Sequence, residues 1–272
     1  MSARAHSKRY IFKQFNIKEF RLSFGKNTIL HIAVGLLTAF ANMQSFAAEK
    51  AVPKSIQANY EVTKNGQPFA KVREQFTVSG DKYTIESISK GVGVYALFGE
   101  RKLTSQGEIT AEGLKPSHFE LHQGDNAKKS LLADFDWSKN TLTMTVKGKP
   151  RTATLVAGAQ DLASYGYQFM HMKQPFKDSV TVALTTGKKF STYNYTIASE
   201  TETIATTNDG AAVSYKTLHL TEHDANQANA PQTVESKSLW LSPEHFYLPV
   251  RILLVDDDGQ KLEQTLTSLH VE

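Results

Sequence analysis

The sequence predicts a mainly antiparallel, all-β fold: a large curled sheet, half-open barrel or sandwich, with one short amphipathic helix near residues 161–173. Three observations carry this expectation. From Ser55 onward apolar residues recur with a period of two, turn sequences interrupt the pattern at close spacing, and only one segment shifts to helical spacing. Successive side chains of a strand point to opposite faces, so a period of two marks elements with one buried and one wet face.

Residues 1–47 stand apart from this pattern. Seven basic residues (Arg4, Lys8, Arg9, Lys13, Lys18, Arg21 and Lys26) and one acid, Glu19, precede the uncharged run "TILHIAVGLLTAFANM". Ser45 and Ala47 then occupy the minus-three and minus-one positions, the layout of a secretory signal peptide with cleavage expected at Ala47/Ala48. The strongly apolar part, Ile29 to Phe40, falls short of the roughly 20 residues a spanning helix needs. The expectation is export, with residues 48–272 forming one periplasmic β domain and no transmembrane segment in the mature chain. The long basic region leaves an uncleaved anchor as the alternative.

Charge and cysteine usage narrow the function classes. The whole chain has 31 Lys and Arg against 27 Asp and Glu; without the leader 24 and 26 remain, a net charge near −2. A mildly acidic domain has no general attraction for phosphate backbones, so nucleic acid is not an expected partner. There is no cysteine. That fits an oxidising compartment and leaves no site for lipid attachment after the leader.

Along the mature chain, "FAKVREQFTV" sets Val72, Phe76 and Val78 against Lys71, Arg73, Gln75 and Thr77, and "TLTMTV" sets Leu142, Met144 and Val146 against threonines. "VTVAL" (180–184) and "YNYTI" (193–197) repeat the pattern. Between such runs lie "KNGQ" (64–67), "SGD" (79–81), "KGKP" (147–150), "TTGKK" (185–189), "NDG" (208–210) and "DDDG" (256–259), residues that tolerate the positive φ of tight hairpins. In "DLASYGYQFMHMKQPF" Asp161 is the expected N-cap, Leu162, Tyr165, Phe169 and Met172 share one helical face, and Pro175 bars continuation. Residues 222–233 read as an exposed polar loop. A curled sheet of this size with one helix tends to enclose a cavity or groove.

Several motifs invite chemistry. "GVGVYA" (91–96) matches a dinucleotide-binding pattern, yet that pattern works only at the start of a helix in a parallel βαβ unit, and a strand-like stretch follows here. The apolar loop "GVGVYALFG" must be buried in the fold, dock on a partner or lid a pocket; Val92, Val94, Tyr95, Leu97 and Phe98 are its candidate ligand-binding residues. His118 and His122, like His219 and His223, resemble metal pairs, but a strand separates such residues by roughly 13 Å, too far for two imidazoles to share one ion. The three carboxylates of "DDDG" diverge in a turn. No cysteine nucleophile, G-x-S-x-G or H-E-x-x-H occurs, and Ser164 near Asp161 reads as part of a helix cap. No catalytic residue, metal ligand or cofactor site is assigned.

In "SLWLSPEHFYLPVRILL" (238–254) Pro243 and Pro249 belong at strand starts or edges, so the stretch reads as a strand end, a turn and a fresh strand. This corner, through Trp240, Ser242, Glu244, Pro249 and Val250 with Gly259 in the following turn, resembles the C-terminal signature of domain-of-unknown-function family 3108 (DUF3108), a set of exported bacterial proteins. "YEVTKNGQPFAKV", "EGLKPSHFE" (112–120) and "DLASYGYQF" (161–169) fit the same family, and the resemblance covers residues 56–270. It implies a periplasmic antiparallel β protein of curled type and brings no catalytic or binding residue with it. By analogy of architecture, that type resembles periplasmic carriers of lipids and lipoproteins. The leading expectation is therefore non-enzymatic binding of an apolar or amphipathic envelope component, a lipid or other apolar small molecule. The alternatives are an envelope interaction or assembly factor and, third, an envelope-polymer hydrolase.

Overall fold

The alternation resolves into fifteen strands in the computed structural model, which describes residues 52–124, 130–176, 178–222 and 236–272. The expected leader 1–47, its cleavage point at Ala47/Ala48, and positions 223–233 of the expected loop lie outside the described residues. The first eight strands are β1 (Ser55–Lys64), β2 (Gln67–Ser79), β3 (Lys82–Gly91), β4 (Arg101–Thr110), β5 (Gly113–Gln123), β6 (Leu131–Asp136), β7 (Thr141–Val146) and β8 (Lys149–Thr154). The other seven are β9 (Gln160–Asp161), β10 (Ser179–Thr185), β11 (Phe190–Asn208), β12 (Ala211–Glu222), β13 (Ser236–Ser242), β14 (Leu248–Val255) and β15 (Lys261–Val271).

All fifteen belong to one sheet. Two meanders run outward from its middle, β1 to β8 one way and β15 to β9 the other, joined where β1 pairs antiparallel with β15 from Ile56↔Val271 to Lys64↔Leu262. Among the described residues only the short pairing of β9 with β10 is parallel. Asn65 and Gly66 (φ 50° and 78°) and Asp209 and Gly210 (50° and 83°) supply the positive φ pairs that their hairpin turns require.

The sheet curls until its β9–β10 end reaches β5. The Gln160 side-chain amide donates to the Leu114 carbonyl at 2.8 Å, and Gly187 of the β10–β11 turn lies so near β5 that a Cβ there would stand 3.2 Å from the Phe119 ring. The free edge strand β8 exposes Lys149, Pro150 and Arg151, residues that discourage pairing with a second chain.

Packing inside the curl is graded. At one end the inward residues are large: Ile56, Phe76, Tyr83, Ile85 and Phe119 are all at most 1 % exposed. Towards the other end the inward positions of the same strands carry Val62, Ala70, Ser87, Ser89 and Gly91. Large residues fill the first end, and small ones leave the second hollow. The β11–β12 hairpin helps to close the filled end. A register shift between Ile197 and Thr201 lets its outer half reach β15, where the Thr206 hydroxyl donates to the Leu266 carbonyl at 2.6 Å.

The segment between β8 and β10 crosses the inside of the curl. Its expected helix near 161–173 is present but is a single turn, α1 (Tyr165–Gln168). Asp161 sits in β9 rather than directly before the turn, a place taken by Ser164. Side-chain bonds at both ends hold the segment, so helical propagation through Gly166 contributes little to its placement. Asp161 accepts N–H bonds from Ala163 and Ser164 at 2.9 Å each. Gln168 accepts the Leu114 N–H at 2.7 Å and donates to the Glu112 carbonyl at 3.0 Å, clamping the β4–β5 turn.

The aromatic corner is architectural. A register shift between Trp240 and Leu241 sets Leu241 opposite Pro249, and Phe246 and Tyr247 turn the chain with φ of 57° each. Trp240 is buried in the main core cluster. Its ring lies 4.2 Å from that of His219 at 10°, with Arg251 4.6 Å over it and its N–H donated to Glu202 at 2.8 Å. With 5 % exposure, Trp240 offers little surface to a ligand.

Gly113 provides a test of the clamp. Its φ is +105°, and a Cβ would stand 2.5 Å from Gln168 Oε1. Gly113→Ala combines backbone strain with a displaced buried amide, and is expected to cost about 2–4 kcal/mol in urea unfolding. A loss under about 0.5 kcal/mol would show that Gln168 clamps nothing.

Candidate functional site

The hollow end forms a cavity of about 740 Å³, within the ~300–1,000 Å³ range of small-molecule sites. Its walls come from both meanders: Val62, Val72 and Leu103 on one side, Ile252, Leu254 and Leu262 on the other. The crossing segment forms its floor through Leu162, Ala163, Tyr165, Gly166 and Tyr167. Tyr167 stacks on Phe76 (5.1 Å, 11°), so the floor rests on the filled end of the curl.

At the rim lies the 3₁₀ turn Gly93–Phe98. Tyr95, Leu97 and Phe98 line the cavity; Val92 and Val94 do not. The Tyr95 ring sits 4.6 Å from Phe69 of β2, which ties the turn to the wall. Val94, Leu97 and Phe98 are 73, 90 and 68 % exposed. Of the three fates open to an apolar loop, burial in the fold is thus excluded for these side chains.

Three charged residues also line the cavity: Glu74, Arg101 and Lys237. The Tyr167 and Ser87 hydroxyls each donate to the Glu74 carboxylate at 3.1 Å, and burial still pushes its pKa up. Burial lowers the pKa of Arg101. The Lys237 ammonium stands 3.9 Å from the Tyr165 ring centroid. Sequence reasoning missed all three, although a signal was present. Glu74 shares the parity of Val72 and Phe76, Arg101 that of Leu103, and Lys237 that of Leu239. A charge on the inward register of an amphipathic strand marks a wet or functional interior.

Beneath the floor Asp161 is fully buried. Besides its two backbone bonds it accepts the Ser105 hydroxyl at 2.6 Å, and Ser105 in turn meets the Tyr83 hydroxyl at 3.3 Å. Burial outweighs these bonds and pushes the Asp161 carboxyl up to about 6.

The remaining sequence candidates do not converge here. His118 and His122 stand on β5 facing opposite to Phe119 and Leu121; His118 meets Asp134 at 2.7 Å, and His122 meets Ser130 at 2.8 Å and Glu120 at 2.7 Å. His219 is held by Glu202 at 2.8 Å beside Trp240, whereas His223 lies outside the described residues. Asp256 closes the "DDDG" turn by accepting the Asp258 and Gln260 N–H groups. "GVGVYA" links antiparallel β3 and β4, without the parallel unit that nucleotide binding requires. Among the described residues no helix is long and apolar enough to cross a membrane.

Comparison with known proteins places this architecture. The family described as protein of unknown function (DUF3108) matches residues 59–267, and the chain belongs to that family. No curated protein matches the chain. Among solved structures it is similar to a β-barrel-like protein of domain of unknown function DUF1849 from Brucella abortus, at 11 % identity and a TM-score of 0.53, covering 82 % of this chain and 100 % of that one. That likeness supports the curled β architecture and nothing about activity. A chain described as a "putative lipoprotein" from Parabacteroides distasonis ATCC 8503 aligns at 9 % identity and a TM-score of 0.32, covering 80 % of this chain and 96 % of that one. A likeness at that score carries no argument.

The floor has a pH signature. The folded state binds the Asp161 proton more tightly than the unfolded chain, whose carboxyl titrates near 3.8. Its contribution is therefore fully present below about pH 4 and is lost as pH rises through about 6, a change of about 3 kcal/mol at most. Asp161→Asn can keep the two backbone bonds and has no charge to bury. Its melting temperature relative to wild type is expected to rise between pH 4 and pH 7; a difference constant with pH would contradict the buried, proton-holding carboxyl.

Proposed function

We propose that this DUF3108 protein is a non-enzymatic carrier that acts in the periplasm and holds an apolar or amphipathic envelope component in its cavity. The single observation that carries the reading is the half-hollow curl: about 740 Å³ of space walled by apolar side chains and rimmed by the exposed apolar turn Gly93–Phe98. In this reading Tyr95, Leu97 and Phe98 form a lid over the occupant, with Val92 and Val94 shaping the turn. The layout of residues 1–47 supports export. His118, His122 and His219 pair with carboxylates outside the cavity lining and Asp256 closes a turn, which favours binding over hydrolysis.

The magnitudes are adequate for binding. Burying about fifteen methylenes contributes roughly 12 kcal/mol, and an association cost of about 4 kcal/mol leaves about 8 kcal/mol, which corresponds to micromolar retention. A second reading rests on Val94, which is 73 % exposed and outside the cavity lining: the turn would then dock on another envelope protein. Crosslinking from position 94 in periplasm separates the two readings, since docking gives a defined protein adduct.

The carrier reading is tested on delipidated mature protein with a fluorescent long-chain fatty acid. Saturable binding in the micromolar range is expected, weakened roughly tenfold by Tyr95→Ala with Phe98→Ala. Neither uptake of probe nor lipid in native mass spectra of freshly purified protein would end the proposal.

A further inference from the structure

Charges near the cavity fall into two groups. On the outer face two pairs stand near it: Lys90 meets Glu100 at 3.1 Å, and Lys102 pairs with Glu86. Arg101 and Lys237 line the cavity instead, and among the described residues neither has a carboxylate partner. Arg101 sits on β4 beside the lid, and Lys237, 8 % exposed, on β13. In the strand order these two belong to opposite meanders, so each wall of the cavity carries one cation. A cation withdrawn from water without a counter-charge is unfavourable, and an entering anion relieves that cost.

Resting on the carrier reading, we propose that the occupant is a single-chain anionic amphiphile. Its anionic head is held beside the lid by Arg101, with Lys237 on the opposite wall, and its chain lies along Val72, Leu103 and Leu162. Arg101 suits this task because its planar fork takes a carboxylate or phosphate through two parallel bonds, whereas the Lys237 ammonium attracts as a point charge. Glu74 does not cancel the two cations. Its carboxylate lies further in, opposite Ser87, is engaged by two hydroxyls, and is pushed by burial towards its neutral form.

Volume sets the number of chains. A methylene takes up about as much space as a water molecule, ~30 Å³, so about 740 Å³ holds roughly 25 such groups. That accommodates one long acyl chain with a compact head. A two-chain phospholipid, about twice that size, exceeds this capacity and would leave part of itself outside the cavity.

The test is competition on full-length mature protein. A fluorescent fatty acid probe is displaced at pH 8 by hexadecanoate, by hexadecanol, or by a two-chain phosphatidylglycerol presented in vesicles. Hexadecanoate is expected to bind at least tenfold more tightly than hexadecanol, with the preference shrinking at 0.5 M salt and outcompeting the two-chain lipid. Arg101→Gln should bring the preference towards one, Lys237→Gln should lower it severalfold, and Lys149→Gln on the distant edge strand should leave it unchanged. If the cavity variants fail to fold by circular dichroism, the wild-type preference and its salt dependence decide. Equal binding of acid and alcohol, or a preference for the two-chain lipid, would overturn this inference while leaving the carrier reading in place. No binding of any of them, including the probe, would overturn both.

Discussion

The structure depends on one polypeptide crossing. Among the described residues, a fifteen-strand sheet made of two meanders has no ladder to close it, because its end strand β9 is paired with neither β8 nor β5. What holds its ends together is the segment running from β8 to β10 through the inside of the curl, bonded by Gln160, Asp161 and Gln168 to β4 and β5. These are buried polar contacts, and a buried polar network is stabilising only when its members are satisfied. Asp161 shows how demanding that is: three donors converge on it, and burial still favours its protonated form.

The same crossing makes the cavity. By resting Tyr167 on Phe76, the segment divides the interior into a solid half and a hollow half. Side-chain size on β2 and β3 then decides which half is which, as Phe76, Tyr83 and Ile85 give way to Ala70, Ser89 and Gly91. An interior shaped this way can take up a ligand without repacking its core, since the dense end carries the stability and the sparse end the space. The proposed carrier role and the proposed anionic occupant both rest on that division of labour.

Much of this was legible in the residues. The two-residue period placed the strands, Asn-Gly and Asp-Gly placed the hairpins, and the prolines at 243 and 249 marked the corner, because each of these signals is local. The helix was overestimated because periodicity alone does not report tertiary bonds, and it is Asp161 and Gln168 bonding to other strands that reduce it to one turn. Glu74, Arg101 and Lys237 were passed over for a different reason. Their inward parity was visible, but that inward charges from β2, β4 and β13 share one cavity depends on a pairing order that joins the ends of the chain, β1 with β15.

The role of the crossing segment is measured most directly by native-state hydrogen exchange at Leu114, Ala163 and Ser164, whose amides are bonded to its side chains. If the segment holds the curl closed, all three exchange only through global unfolding, with the same denaturant dependence as the core of β2 and β3. Exchange of Ala163 and Ser164 through a low-energy local opening, while the β2 and β3 amides stay protected, would show the sheet holding its shape without it.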